Sequence, residues 1–158
     1  ANDINKGLAI FKTLQATKGR GEIIETKIAE KNITIIDDSY NASPASMRAA
    51  FEALAKHPSK GRKIAALGNM LELGSDASKF HAGLASELEK QGIDRVYTSG
   101  MLMEHLHSAL PASRRGEYVE KAEDLLPILS RDCEPRDVLL VKGSHGSLMY
   151  QLAKKLQE

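Results

Sequence analysis

The chain has one cysteine, Cys133, in 158 residues. An internal disulfide is therefore excluded, and no partner residues stand at zinc-ligand spacing. A reduced, cytoplasmic compartment is expected. There is no surplus of charge: 22 basic and 21 acidic residues leave a formal net charge of +1. No broad field favours nucleic acid or an anionic membrane, so any bound anion must be met by a local site. No apolar run approaches the ~20 residues that span a bilayer. The opening ANDINKGLAIFKTLQ lacks a signal peptide's basic start and continuous apolar centre, so a soluble, unexported protein is expected. G-x-x-x-x-G-K-[ST], G-x-G-x-x-G and G-x-S-x-G are all missing, which leaves P-loop chemistry and triad hydrolysis without support. His57, His81, His105, His107 and His145 show no metal-ligand spacing, and residues two apart on a helix, as in HLH, do not face each other. No metal site is expected.

What is present is alternation. Ile4, Leu8, Ile10 or Phe11, and Leu14 recur at helical spacing behind a cap at Asn2 or Asp3, predicting a short amphipathic helix that TKGRG ends. EIIETKIA and NITIID read as strands separated by the turn-prone EKN, a connection too short for a crossover helix, which favours an antiparallel pair. KIAALG, DRVYTSG, GEYVE and DVLLVKG follow as short apolar or β-branched runs, and helix-like stretches begin near Pro44, Ser75, Met101, Ala122 and His145. This pattern predicts an α/β fold with a mostly parallel sheet of about six strands. Ser43 before Pro44 marks a helix start, with Met47, Phe51 and Leu54 toward the sheet and Ser46, Arg48 and Glu52 toward water. In the next helix Phe80, Leu84 and Leu88 share a stripe, and Gly92 fits its exit. The length suits one domain over residues 1–158, without repeats or internal linkers.

Open parallel α/β sheets bind ligands beyond the carboxyl ends of their strands. That rule selects Asp37, Asp38, Tyr40 and Asn41, then Gly68 and Asn69, Ser99 and Gly100, and finally Lys142, Gly143, Ser144 and His145. Two readings of the aspartates stand open. They end a strand in an Asx turn, or one of them accepts from a ribose diol or holds a cation. Side chains alternate along a strand, so a shared acid–base dyad is not expected. LVKGSHGSLM is equally open: an anion site at a helix start, or a glycine-rich turn with a solvated lysine.

Taken in order, GRGEII, IIDDSYNASPASMRAA, KIAALGNMLELG, GIDRVYTSG and VLLVKGSHGSLM resemble the carboxyl-terminal domain of the Mur ligases. DDSYNA followed by LG-MLELG is similar to the branch that adds D-alanyl-D-alanine to UDP-N-acetylmuramoyl-tripeptide in peptidoglycan synthesis. The resemblance implies a Rossmann-like, three-layer third domain of an ATP-dependent amide-bond ligase acting through an acyl phosphate, with ATP and Mg2+ as cofactors. It also implies amino-terminal and central ATPase domains as partners. The P-loop, the magnesium ligands and a modified lysine are expected in the central domain. No catalytic residue is therefore expected in this domain alone, and the 158 residues by themselves are expected to be inactive. Closure of the third domain would keep water from the acyl phosphate.

Carried over residue by residue, Arg20 matches the arginine that approaches the ATP phosphates and Asp38 the acid on the nucleotide ribose, with Tyr40 and Asn41 in the same pocket. Asp37 is expected to be structural. Asn69 and Leu71 in the Gly68–Gly74 loop, with Lys142, Gly143, Ser144 and His145, match the dipeptide side. Two positions depart from the family pattern. Asn69 stands where an aspartate is common, and an amide lacks the charge to hold an ammonium group. His145 stands where an arginine is frequent, so its charge falls as pH rises. These departures motivate a competing expectation, a free-standing Rossmann-like nucleotide-binding or regulatory module without catalysis. Replacing Arg20 or Asp38 by Ala is expected to impair turnover and leave the fold intact.

Overall fold

The computed structural model describes residues 18–158, so the expected amino-terminal helix lies outside the described residues. The chain forms β1 (Glu22–Ile28), β2 (Lys31–Asp38), α1 (Pro44–Lys56), β3 (Lys63–Gly68), α2 (Ala77–Lys90) and β4 (Arg95–Ser99). It continues through α3 (Met103–Ala109), β5 (Arg115–Val119), α4 (Leu125–Asp132), β6 (Val138–Lys142) and α5 (Met149–Leu156). The six strands lie in the order β1-β2-β6-β3-β4-β5, with β1 antiparallel to β2 and the other pairs parallel. This is the expected α/β sheet with an antiparallel strand near its start.

The layers follow from the hydrophobic pattern. KIAALG and VLLVK are buried almost throughout, because helices cover both faces of these central strands. Ala65, Leu67 and Leu140 pack against Met47, Phe51, Leu54, Leu84, Leu88 and Leu106 on the face carrying α1, α2 and α3. The alternate positions Ile64, Ala66, Leu139 and Val141 pack against Leu125, Leu129, Met149 and Leu152 of α4 and α5. Each fully buried large apolar side chain contributes about 1.5–3 kcal/mol, so this two-sided core holds the layers together.

Three local expectations shift. The first turn falls on Ala29 and Glu30, both left-handed at φ 50° and 68°, and Lys31 and Asn32 belong to β2. A two-residue hairpin takes this geometry because it matches strand twist. On α2, Phe80 is exposed, and the fully buried His81 joins Leu84, Ala85 and Leu88. A 3-10 turn at Gly74–Asp76 precedes the helix, and the inward stripe runs through 81, 84, 85 and 88. Ser46 does not simply face water: its Oγ accepts from the Ser43 amide at 2.8 Å, and Ser43 Oγ accepts from the Ser46 amide at 3.1 Å. The two serines cap α1 reciprocally around Pro44.

The chain path creates a crevice. Helices α1 and α2 leave β2 and β3 on one face, whereas α5 leaves β6, which lies between them, on the other. Loops therefore diverge on both sides of β6 at its carboxyl end. Register places Asp38 beside Lys142, Lys142 beside Leu67, and Gly68 beside Ser99.

Candidate functional site

A pocket of about 260 Å³ opens where β2 and β6 end, between Arg20, Asp38, Tyr40, Asn41 and Lys142. Gly19 and Gly21 flank Arg20 with φ of 78° and 85°, conformations that glycine adopts without penalty. The Gly19 carbonyl accepts from the Tyr40 amide and the Gly21 amide donates to the Asp37 carbonyl, each at 2.8 Å. A motif that is weak in sequence is thus a fixed arm. It carries the Arg20 guanidinium to 4.0 Å from the centroid of the Tyr40 ring, a cation–π contact.

The two aspartates divide as strand alternation requires. Asp37 is buried, and its Oδ1 accepts from the Ser39 amide and hydroxyl, which is the Asx-turn reading. Asp38 faces the pocket, and its Oδ2 accepts from Lys142 Nζ at 2.7 Å. The same ammonium donates to the Asn41 carbonyl at 2.9 Å, and the lysine side chain is only 3% exposed. Lys142 is therefore not solvated, and it sits with the first pocket. Removing Asp38 strands a buried cation, which costs up to about 3–5 kcal/mol. The expectation that Asp38→Ala spares the fold is corrected accordingly.

A second pocket, about 380 Å³, lies between the ends of β3, β4 and β5 and the start of α5. Asn69 and Ser99 contribute polar groups, Leu126, Leu148 and Leu152 an apolar wall, and the exposed Glu120, Lys121, Glu123 and Lys155 charges of both signs. Sequence reasoning missed those charged residues. The strand-end rule, extended to GEYVE, leads directly to Glu120 and Lys121.

The dipeptide-side candidates separate into props and surface. Asn69 Oδ1 accepts from the Met103 amide at 3.2 Å, and its carbonyl accepts from the Ser144 amide at 2.9 Å. Gly100 has no Cβ because the Asn69 amide group occupies that space. Buried Ser144 accepts from the Leu71 amide at 2.9 Å and donates to the Ala42 carbonyl at 3.4 Å, tying three loops together. A side chain at Gly143 would collide with Ser147 and Met149, so this glycine lets the following turn settle on the sheet. The amides of Ser144, Ser147 and Leu148 are already bonded, and α5 starts only at Met149, after a left-handed Leu148. That favours the turn reading of LVKGSHGSLM over an anion cradle. His145 and Leu71 are exposed, and a Cβ on Gly146 would press on Leu71.

His81 supports the same edge from beneath. Its Nε2 accepts from the Met70 amide at 2.9 Å and its Nδ1 lies 2.7 Å from the Ala77 carbonyl, so Nδ1 carries the proton of a neutral ring. Burial holds its pKa below the usual 6.5, outweighing the Ala77 bond. Among the described residues, no three His, Cys, Asp or Glu side chains are grouped to hold a metal, and no helix is long and apolar enough to cross a membrane.

The family described as "Mur ligase, glutamate ligase domain" matches residues 19–145. The chain is 35% identical to the UDP-N-acetylmuramoyl-tripeptide–D-alanyl-D-alanine ligase of Bacillus subtilis (strain 168), over 99% of this chain and 34% of that protein. Identity to the enzyme of the same name from Escherichia coli (strain K12) is 34%, over 98% of this chain and 32% of that one. The chain thus spans about a third of the length of these curated relatives. A MurF ligase from Thermotoga maritima, solved in complex with ADP, matches 89% of this chain and 31% of its own with a TM-score of 0.74 at 27% identity. Sequence match and architecture agree, and the chain belongs to the Mur ligase family, as its glutamate ligase domain.

Proposed function

We propose that this chain is the closing third domain of an ATP-dependent ligase that joins D-alanyl-D-alanine to UDP-N-acetylmuramoyl-tripeptide, and that its first pocket is half of the nucleotide site. The carrying observation is the convergence of Arg20 and Asp38 on one lip, with Tyr40 between them. The guanidinium suits phosphate oxygens. Asp38 Oδ1 has no hydrogen-bond partner among the described residues and suits a ribose diol. At about 260 Å³ the pocket is smaller than the roughly 300–1,000 Å³ of complete small-molecule sites, as befits a lip that another domain completes. The amino-terminal and central domains of the same enzyme are the partners, magnesium is assigned to the central domain, and the substrates place the reaction in the cytoplasm.

In this reaction the terminal phosphoryl group of ATP passes to the tripeptide carboxylate and ADP leaves. The dipeptide amine then attacks the acyl carbon, and phosphate and a proton are released. This domain binds and orients. Arg20 offsets phosphate charge, Asp38 fixes the ribose, and closure excludes water. The second pocket fits the dipeptide: its mixed charges match a zwitterion, and its leucines match two methyl groups. Asn69 gives little support to a free-standing module, since an amide or a carboxylate accepts equally well from the Met103 amide.

The test is amide formation by the full-length enzyme. Arg20→Ala, and Asp38→Asn, which leaves an acceptor for Lys142, should each lower kcat/KM for ATP by roughly tenfold or more. Wild-type kinetics in both variants would sink the assignment, as would ATP turnover with the tripeptide by these 158 residues alone.

A further inference from the structure

Tyr150 plays no part in the reading above, yet its ring stacks on His145 with centroids 4.5 Å apart and planes 10° from parallel. His145 also meets Tyr40 edge-on, at 6.0 Å and 62°. Tyr40 in turn lies under the Arg20 guanidinium at 4.0 Å. Side chains from the Gly19–Gly21 arm, the β2–α1 loop, the turn after β6 and the first turn of α5 therefore form one column. One end of the column stands in the first pocket. The other end is Tyr150, and His145, between the two tyrosines, immediately precedes Gly146, Ser147 and Leu148, which line the second pocket.

The His145 imidazole makes no hydrogen bond among the described residues, so ring contacts are what orient it. Its carbonyl accepts from the Leu148 amide at 3.1 Å, so the backbone that carries the ring is tied directly to the left-handed residue at the pocket wall. A phosphate that draws Arg20 off Tyr40 would remove the cation lying on the ring and leave the ring free to shift against His145. The column is a contiguous set of packed side chains that reaches from the first pocket to the turn beside the second, which sequence proximity alone would not supply.

We propose that Tyr150 is a positioning residue that couples the two pockets: by clamping His145 against Tyr40, it makes the wall of the dipeptide pocket follow the state of Arg20 at the nucleotide lip. This rests on the nucleotide reading of the first pocket and the dipeptide reading of the second. Coupling is reciprocal, so a nucleotide that changes dipeptide affinity by some factor has its own affinity changed by the same factor.

The experiment is calorimetric titration of the full-length enzyme, saturated with UDP-N-acetylmuramoyl-tripeptide, with D-alanyl-D-alanine and a non-hydrolysable ATP analogue, each with and without the other. The wild type should show a coupling factor of about fivefold or more. Tyr150→Ala should bring the factor close to one and leave the Kd of the analogue alone unchanged. Tyr150→Phe, which keeps the ring, should restore wild-type coupling, whereas a purely structural role would lower the melting temperature and leave the factor intact. Wild-type coupling in Tyr150→Ala, loss of coupling in Tyr150→Phe, or no coupling in the wild type overturns the proposal. An analogue whose affinity is indifferent to Arg20→Ala overturns the nucleotide reading beneath it, and the coupling with it.

Discussion

The two edges of the sheet are built on opposite principles. At the amino edge polar groups are closed on one another. Arg62 grips Asp137 through Nε at 3.1 Å and Nη2 at 2.8 Å, the Glu134 amide donates to the same carboxylate at 2.7 Å, and the Tyr97 hydroxyl donates to Asp132 at 3.0 Å. Burial, with the neighbouring carboxylate, pushes the Tyr97 phenol up to about 12. Burial likewise pushes the Cys133 thiol up to about 11, which leaves it protonated and unreactive at neutral pH. At the carboxyl edge Tyr40, Leu71, Met101 and Leu148 are exposed, and Glu72 and Leu148 take left-handed backbone. One edge is finished by its own side chains. The other leaves apolar side chains exposed and one oxygen of Asp38 without a hydrogen-bond partner among the described residues.

The sharpest way to break this comparison is Arg62→Ala. It leaves the Asp137 carboxylate, 1% exposed, with the Glu134 amide as its remaining donor. Breaking such a buried pair costs about 3–5 kcal/mol, which a lowered midpoint of urea unfolding would report. Ligation per folded molecule should stay at the wild-type value. A variant as stable as wild type, or one with altered nucleotide affinity, would show that the edges are not divided in this way.

The same contrast explains what was legible in the sequence. Strands buried on both faces leave continuous apolar runs, so KIAALG and DVLLVKG announce themselves, and Ser43-Pro44 states its helix start in local chemistry. The split between Asp37 and Asp38 follows from strand alternation alone. The partner of Asp38 does not, because Lys142 lies 104 residues away and meets it only once β6 inserts between β2 and β3. His81 reads like any helical histidine until the rotation of α2 turns it inward. The column through Tyr150 joins four separate stretches, and no spacing rule reaches across them.

A smaller effect, and one that sharpens the comparison, is the acid response of the carboxyl edge. His81 has a folded pKa below its unfolded value of 6.5, so the unfolded chain binds more protons as pH falls. Its contribution to stability is present above pH 6.5 and is lost below it. Thermal midpoints should drop between about pH 7.5 and 5.5, and the protection factor of the Met70 amide, whose hydrogen bond His81 accepts, should fall once its exchange rate is corrected for the intrinsic pH dependence. His57 and His107 are also lowered by burial, so His81→Gln should reduce the slope without abolishing it. An unchanged slope, or a Met70 protection factor indifferent to pH, would remove His81 as the support of this loop.

The smallest effect comes from the two left-handed residues of the carboxyl edge, Glu72 and Leu148. Left-handed backbone costs an L-residue about 1–2 kcal/mol, while glycine escapes that cost but loses roughly 0.5–1 kcal/mol through the entropy of the unfolded chain. Glu72→Gly at φ 62° and Leu148→Gly at φ 64° should therefore each gain at most about 1.5 kcal/mol from backbone relief. Their functional outcomes should differ. Glu72 is exposed and lines neither pocket, so its replacement should raise the melting temperature slightly and leave the dipeptide KM alone. Leu148 forms part of the apolar wall, so its replacement should raise that KM even where the melting temperature improves. If the second pocket receives the dipeptide, the strain at Leu148 is retained for what its side chain does there. A Leu148→Gly enzyme with unchanged dipeptide KM would mean that the second pocket does not receive the dipeptide, and that the strain at Leu148 serves the fold alone.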